Sequence, residues 1–265
     1  MNMQKNTKPF KLDRISPSMI GSYLSCPLSF YYQYVAKIKM PYDKIHLVFG
    51  SAIHLALEKM LDVKDPKKVF IKAFDIKELN ESERHLHEEY LLLGQEMITN
   101  YMEMYPTLDK LYDLSTGTPE KRFRRHMTNP ITGIESTIPL SGIVDKLTDT
   151  GIIIEYKTSK NKWKESETKF KVQNLLYNLW YYSEHGKLAE KMVYIILLKK
   201  FKRHKRDQVI QVIESQVTYD DLAEAFEEVE LIIDKIHSGM FDKPMGYHPP
   251  YCDCIKYEKL LNSKK

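Results

Sequence analysis

The stretch GIVDKLTDTGIIIEYKTSK, residues 142–160, sets two apolar runs on either side of Asp149-Thr150-Gly151. Asp145 interrupts the first run, and Glu155 and Lys157 interrupt the second. Apolar strands normally keep charge off a buried face. A three-residue loop with glycine in the left-handed position is a common hairpin closure. With Thr148 facing Ile152, counting back places Asp145 opposite Glu155. Cross-strand neighbours have Cβ atoms roughly 5 Å apart, and strand alternation puts Glu155 and Lys157 on one face. Two carboxylates that close repel each other unless a cation lies between them. A hard divalent ion is the natural filler, and Mg²⁺ takes one or two carboxylates together with waters and phosphate oxygens. A lysine beside such an ion can orient or deprotonate a water, or neutralise charge developing on a phosphate. Those groups suit phosphodiester hydrolysis. A hairpin with a wet, charged face has the same spacing, so the hairpin alone does not decide between the two.

Outward from the hairpin, the chain changes character near residue 119. Before it, residues 14–110 read as mainly helical, after a basic tail at 1–13. Ser16-Pro17 and Asp65-Pro66 are cap-then-proline helix starts. The chain breaks at Cys26-Pro27 and resumes as the aromatic helix LSFYYQYVA. A helix opens at Gly50-Ser51 in LVFGSAIHLALEKMLD, and the long periodic run ending in NYMEMY stops at Pro106. Residues 119–217 read as the sheet-containing part, with KRFRRHMT, IESTIPL, GIVDKLT, IIIEYKT, MVYIILLKK and DQVIQVIESQV as β-segments around one helix that ends at Gly186. Residues 219–265 supply a last helix and a tail. With no repeat and no linker-like stretch, residues 14–265 are expected to form one α/β domain.

Three further features surround the hairpin. His54 and Glu58 lie one helical turn apart in GSAIHLALE, and imidazole can complete a carboxylate metal site. Gln173 and Tyr177 lie four apart in QNLLY. The order along the chain is G-x-x-x-H, G-x-x-D, E-x-K, Q-x-x-x-Y. In that order, and with the opening SPSMIGSYLSCPLSFYYQY, residues 16 to about 182 resemble the RecB-like branch of the PD-(D/E)xK nuclease superfamily. The resemblance implies a restriction-endonuclease-like core, a mixed β-sheet flanked by helices, that cuts DNA with Mg²⁺ or Mn²⁺. It implies metal ligation by His54, Asp145, Glu155 and the Tyr156 carbonyl, with Lys157 as the catalytic lysine. Gln173 and Tyr177 would position nucleic acid or brace the site, and Glu58 would stand behind the ligands. The family's proline before the first aspartate is replaced here by Val144.

The whole chain has 265 residues, a net charge of +4 and no run long enough to span a bilayer. Its mild basicity permits an anionic partner without demanding one. Two basic clusters are candidates for phosphate contact: Lys199, Lys200, Lys202, Arg203, Lys205 and Arg206 in KKFKRHKR, and Arg122 and Arg124 in KRFRR. A solvated hairpin tip is the bland alternative for the first. MNMQKNTKPF lacks the apolar core of a secretory signal. With Cys26, Cys252 and Cys254 too few for a disulfide framework, this points to a reducing, cytoplasmic setting. Some relatives in the resembled branch hold a [4Fe–4S] cluster with one cysteine near the start and three near the end. A full cluster uses four thiolates and this chain has three cysteines, so none is expected. A lost cluster, a fourth ligand such as His248 or Asp253, and coincidence remain alternatives. No G-x-x-x-x-G-K-[ST] loop is present, so unwinding would need a helicase or recombination partner. The expected function is a DNA exonuclease of recombination, repair or phage DNA processing. A catalytically weak DNA-binding subunit or an RNA-directed nuclease are the alternatives.

Overall fold

The chain's centre is a five-stranded sheet: β1 (Thr118–Arg125), β2 (Leu140–Leu147), β3 (Ile152–Ser159), β4 (Lys191–Leu198) and β5 (Ile210–Ser215), in spatial order 1-2-3-4-5. All neighbours are antiparallel except β3 and β4, which run parallel. The sheet is therefore mixed, as expected. It belongs to a computed structural model that describes residues 10–39, 44–168, 171–201, 203–204, 208–242 and 252–262. The β3–β4 crossover is made by α6 (Val172–His185), because a parallel pair cannot be joined by a tight turn.

Strand alternation in β4 divides the core. Met192, Tyr194, Ile196 and Leu198 face one layer, which contains α1 (Pro17–Ser25), α6 and α7 (Tyr219–His237). Val193, Ile195 and Leu197 face the other, built from α3 (Ile45–Glu58), α4 (Pro66–Ala73) and α5 (His87–Tyr112). Helices on both faces explain why this central strand is apolar at every interior position. The expected β-segment at 134–140 is a loop as far as residue 139, and only Leu140 is strand, as the start of β2. The loop carries a bridge from Thr128 to Glu135, and Ile134 is exposed, with no face to bury it.

Two helix boundaries differ from the sequence reading. Helix α3 begins at Ile45, not at Gly50, because the Glu83 carboxylate accepts hydrogen bonds from the backbone N–H groups of Lys44 and Ile45, at 3.0 and 2.9 Å. That cap comes from 38 residues away and satisfies donors a helix start leaves open. Helix α5 continues through Pro106 to Tyr112. An interior proline costs about 3 kcal/mol, and burial of Leu108 and Tyr112 beyond it offsets that cost. The N-terminal aromatic segment forms α2 (Pro27–Phe30) and a π-turn at Tyr31–Val35. A last helix, α8 (Asp253–Asn262), packs its buried Cys254 and Tyr257 against Cys26, Leu28 and Tyr32.

Candidate active site

The site forms where β2 and β3 separate. Gly151 takes φ +83° in the connecting loop, and Thr148 N–H donates to the Ile152 carbonyl at 3.0 Å. Pairing then runs through Leu147↔Ile153 and Lys146↔Ile154 and stops. The next expected pair, Asp145 opposite Glu155, is not made by the backbone. Instead the Asp145 carboxylate enters the gap and accepts from Tyr156 N–H at 2.7 Å. A side chain thus replaces a ladder bond and satisfies the donor the split would orphan. The alternation also slips here. Val144 packs with the α6 layer, whereas the cross-strand partner of Lys146, Ile154, packs with the α3 layer. The Asp145 carboxylate consequently reaches α3, where its Oδ1 lies 3.2 Å from His54 Nδ1.

Glu155 lies on the opposite side of the split, under α6. Its Oε1 accepts from Lys157 Nζ at 2.6 Å and from Gln173 Nε2 at 2.7 Å. Gln173 Nε2 also donates to the Tyr177 hydroxyl at 3.0 Å, and that hydroxyl donates to the Ile143 carbonyl at 2.6 Å. The Q-x-x-x-Y pair therefore ties the carboxylate on β3 to the backbone of β2. Tyr177 is 4% exposed, a position suited to bracing rather than to contact with a ligand.

The electrostatics are unbalanced. Burial and then the charge of Asp145 push the Glu155 carboxyl up to about 7, against the pull of Lys157. Glu155 Oε2 is buried without a hydrogen-bond partner. Burial disfavours charge on His54, but the hydrogen bond and charge of Asp145 outweigh it and hold the imidazole above its ordinary value. Glu120 on β1 adds a carboxylate that the sequence reading did not single out. Its residue has φ +47°, and burial, then the charges of Asp145 and Glu58, raise its carboxyl. No local motif marks Glu120, because β1–β2 pairing alone brings it near. Glu58 lies 2.8 Å from Lys59 and shares the wall of a small cavity with Asp145 and Tyr156.

A model of the PD-(D/E)XK nuclease superfamily matches residues 14–257. The chain belongs to that superfamily. A solved structure from Eubacterium rectale, named "Putative exonuclease", matches this nuclease with TM-score 0.55 and 14% identity, over 96% of this chain and 90% of that one. At that identity the likeness shows the shared fold. The structure of SSO0001, at TM-score 0.29 and 11% identity over 81% of this chain and 86% of that one, is too distant to carry an argument. No curated protein matches. Nucleases of this superfamily act on phosphodiester bonds of nucleic acid and generally use divalent metal ions. The residues present fit such an ion in their chemistry: Glu155 Oε2 is buried without a partner, and Glu155 feels the charges of Asp145 and His54 from across the split.

The predicted basic residues separate into different settings. Arg122 and Arg124 are exposed on β1 and line an open cavity of about 650 Å³ with Lys11, Arg14 and Lys37, which sequence reading missed. In contrast, the Lys199 ammonium lies 5.3 Å from the centre of the Phe49 ring, and burial lowers its pKa. Lys199 therefore packs as part of the α3 layer. Lys200 is exposed, and Arg203 is also exposed. Lys202, Lys205, Arg206 and His248 lie outside the described residues. No helix among the described residues is long and apolar enough to cross a membrane. The three cysteines, by contrast, come together beside the start of α8.

Proposed function

We propose that this nuclease is a Mg²⁺- or Mn²⁺-dependent deoxyribonuclease of the RecB-like branch, an exonuclease that hydrolyses a DNA strand in recombination, repair or phage DNA processing. The observation that carries this reading is the buried, partnerless Oε2 of Glu155, whose carboxyl feels the charges of Asp145 and His54 across the split. His54, Asp145, Glu155 and the Tyr156 carbonyl would hold the ion. When bound, the ion supplies Lewis acidity to a water and to the phosphate. The chain's own groups do the rest. Asp145 is held by Tyr156 N–H and His54, so its carboxylate is fixed before substrate arrives. Gln173 fixes Glu155. Lys157, whose ammonium donates to Glu155, lines a cavity with Gln173 and Tyr177, where it would donate to an attacking water or to a phosphate oxygen.

The same cavity shares Ser16, Gly142 and Ile143 with the basic trough of Lys11, Arg14, Lys37, Arg122 and Arg124. Five exposed cations leading to Lys157 form a path for a phosphate backbone. Gly142, which lines both cavities, packs on the core: a Cβ there would lie 2.6 Å from the Phe123 ring, which stacks on Trp180 at 4.4 Å. In this reading the strand runs along β1–β2 into the site, and duplex opening is left to a helicase or recombination partner in the cytoplasm.

End-labelled single- and double-stranded DNA, incubated with Mg²⁺, Mn²⁺ or EDTA, tests the proposal alongside Asp145→Ala and Lys157→Ala. Stepwise shortening that needs metal and both residues is expected. Cleavage in EDTA, or in both variants, overturns the site. Cleavage of RNA but not DNA overturns the substrate. Binding without turnover under either metal turns the protein into a binding subunit.

A further inference from the structure

Cys26, Cys252 and Cys254 are all the cysteines of the chain, and their sulfur atoms lie within 4.8 Å of one another. Cys26 precedes α2, and the other two flank the start of α8, so the cluster joins the two ends of the chain. No disulfide involves them. Packing of small apolar side chains is the bland account, and it suits Cys26 and Cys254, which are buried. It does not suit Cys252. That residue is partly exposed and borders an open cavity of about 480 Å³ walled by Ser18, Ser22, Ser25 and Ser29. Ser29 N–H donates to Cys26 Sγ at 3.4 Å as the N-cap of α2, and Ser29 Oγ lies 3.5 Å from Cys252 Sγ, where either atom can donate.

A [4Fe–4S] cluster of the resembled branch does not fit this arrangement. Such a cluster places four thiolates on four different irons, and this chain has three. The Asp253 carboxylate pairs with Lys256 at 2.9 Å instead. A cubane between the thiolates also spreads them apart. Two sulfurs on one tetrahedral zinc, each at about 2.3 Å, stand roughly 3.8 Å apart. The three observed sulfurs need only contract slightly to share one ion.

We infer that Cys26, Cys252 and Cys254 bind a single thiophilic divalent ion of the zinc class. The three thiolates are its protein ligands, and a solvent molecule from the serine-lined cavity is the fourth. The ion ties α8 to α2 and is independent of the nuclease site and its reading.

The full chain carrying Asp145→Asn, which weakens competing uptake at the carboxylates, is the protein to assay. Elemental analysis should find about one zinc per chain. Replacement by Co²⁺ should give the near-ultraviolet thiolate-to-metal band and the visible bands of a tetrahedral ion. Removing the ion with a chelator should let the partly exposed Cys252 react with a thiol reagent and lower Tm. Cys252→Ser, at the one partly exposed position, should reduce affinity at least about 10-fold with an unchanged circular dichroism spectrum. Full metal retention by Cys252→Ser, or a wild-type-cysteine protein that gives no cobalt–thiolate band, overturns the inference. Iron with equimolar inorganic sulfide overturns it in favour of a cluster. If Cys252→Ser does not fold, cobalt uptake by the parent chain still decides.

Discussion

Glu155→Gln should make the metal-free protein more stable at alkaline pH while abolishing cleavage. The carboxyl is buried with one oxygen partnerless, and its folded-state pKa is raised from 4.5 to about 7. A raised folded-state pKa means that the fold prefers the protonated form. The associated stability is present below about 4.5 and is lost as pH climbs through about 7. Two and a half decades of proton affinity at about 1.4 kcal/mol each amount to roughly 3 kcal/mol, of which roughly 2–3 kcal/mol falls between pH 5 and pH 8. Glutamine keeps an oxygen for the Gln173 and Lys157 donors, removes the charge, and should flatten this slope. His54 is also raised and weakens the fold in the same direction as pH increases above 6.5. It is present in both proteins, so it largely cancels in their difference. The assay is urea unfolding in EDTA at half-unit pH steps. The difference curve between variant and wild type should rise by roughly 2–3 kcal/mol from pH 5 to pH 8. Mg²⁺ should recover wild-type stability at pH 8 but leave the variant unmoved. Parallel curves would refute the account of Glu155 as a strained anion waiting for a cation.

Arg122→Ala with Arg124→Ala should weaken single-strand binding and reduce the slope of log affinity against log salt by about 1.4, at about 0.7 for each phosphate no longer neutralised. An unchanged slope removes the trough from the substrate path. His54→Ala should raise the divalent-ion concentration needed for half-maximal cleavage about 10-fold or more, measured by metal titration at fixed substrate, whereas equal requirements would free His54 from the site. Gly94→Ala tests the α4–α5 packing. Its Cβ would lie 2.1 Å from the Phe70 ring, so about 1–3 kcal/mol of overpacking should outweigh the roughly 1 kcal/mol of helix propensity gained. A higher Tm in thermal melts would contradict the packing.

Patterns of short range are legible in the sequence itself. The turn at Asp149-Thr150-Gly151, the caps at Ser16 and Asp65, and the β4 strand depend on neighbours a few residues away, and each appears in the structure. The superfamily was also legible, because its groups recur in fixed order along the chain. Features set by distant partners were not. The start of α3 depends on Glu83, and the passage of α5 through Pro106 depends on what lies beneath Leu108 and Tyr112. Helix α8 is short and weakly patterned, and it is held by Tyr32 and Cys26 from the other end. Counting also assumed an unbroken ladder, and so gave Asp145 and Glu155 the same side.

The sequence by itself determined which groups carry charge where a strand should be apolar, and therefore which residues to suspect. Their arrangement was decided by tertiary structure. β2 and β3 part after two pairs, so the Asp145 side chain crosses to α3 and His54, while Glu155 stays beneath α6 with Lys157, Gln173 and Tyr177. Local spacing can specify a face, but it cannot tell where a ladder opens. That depends on the helix layers packed against both sides of the sheet, and on the cost of leaving the Tyr156 N–H unsatisfied had Asp145 not filled the gap.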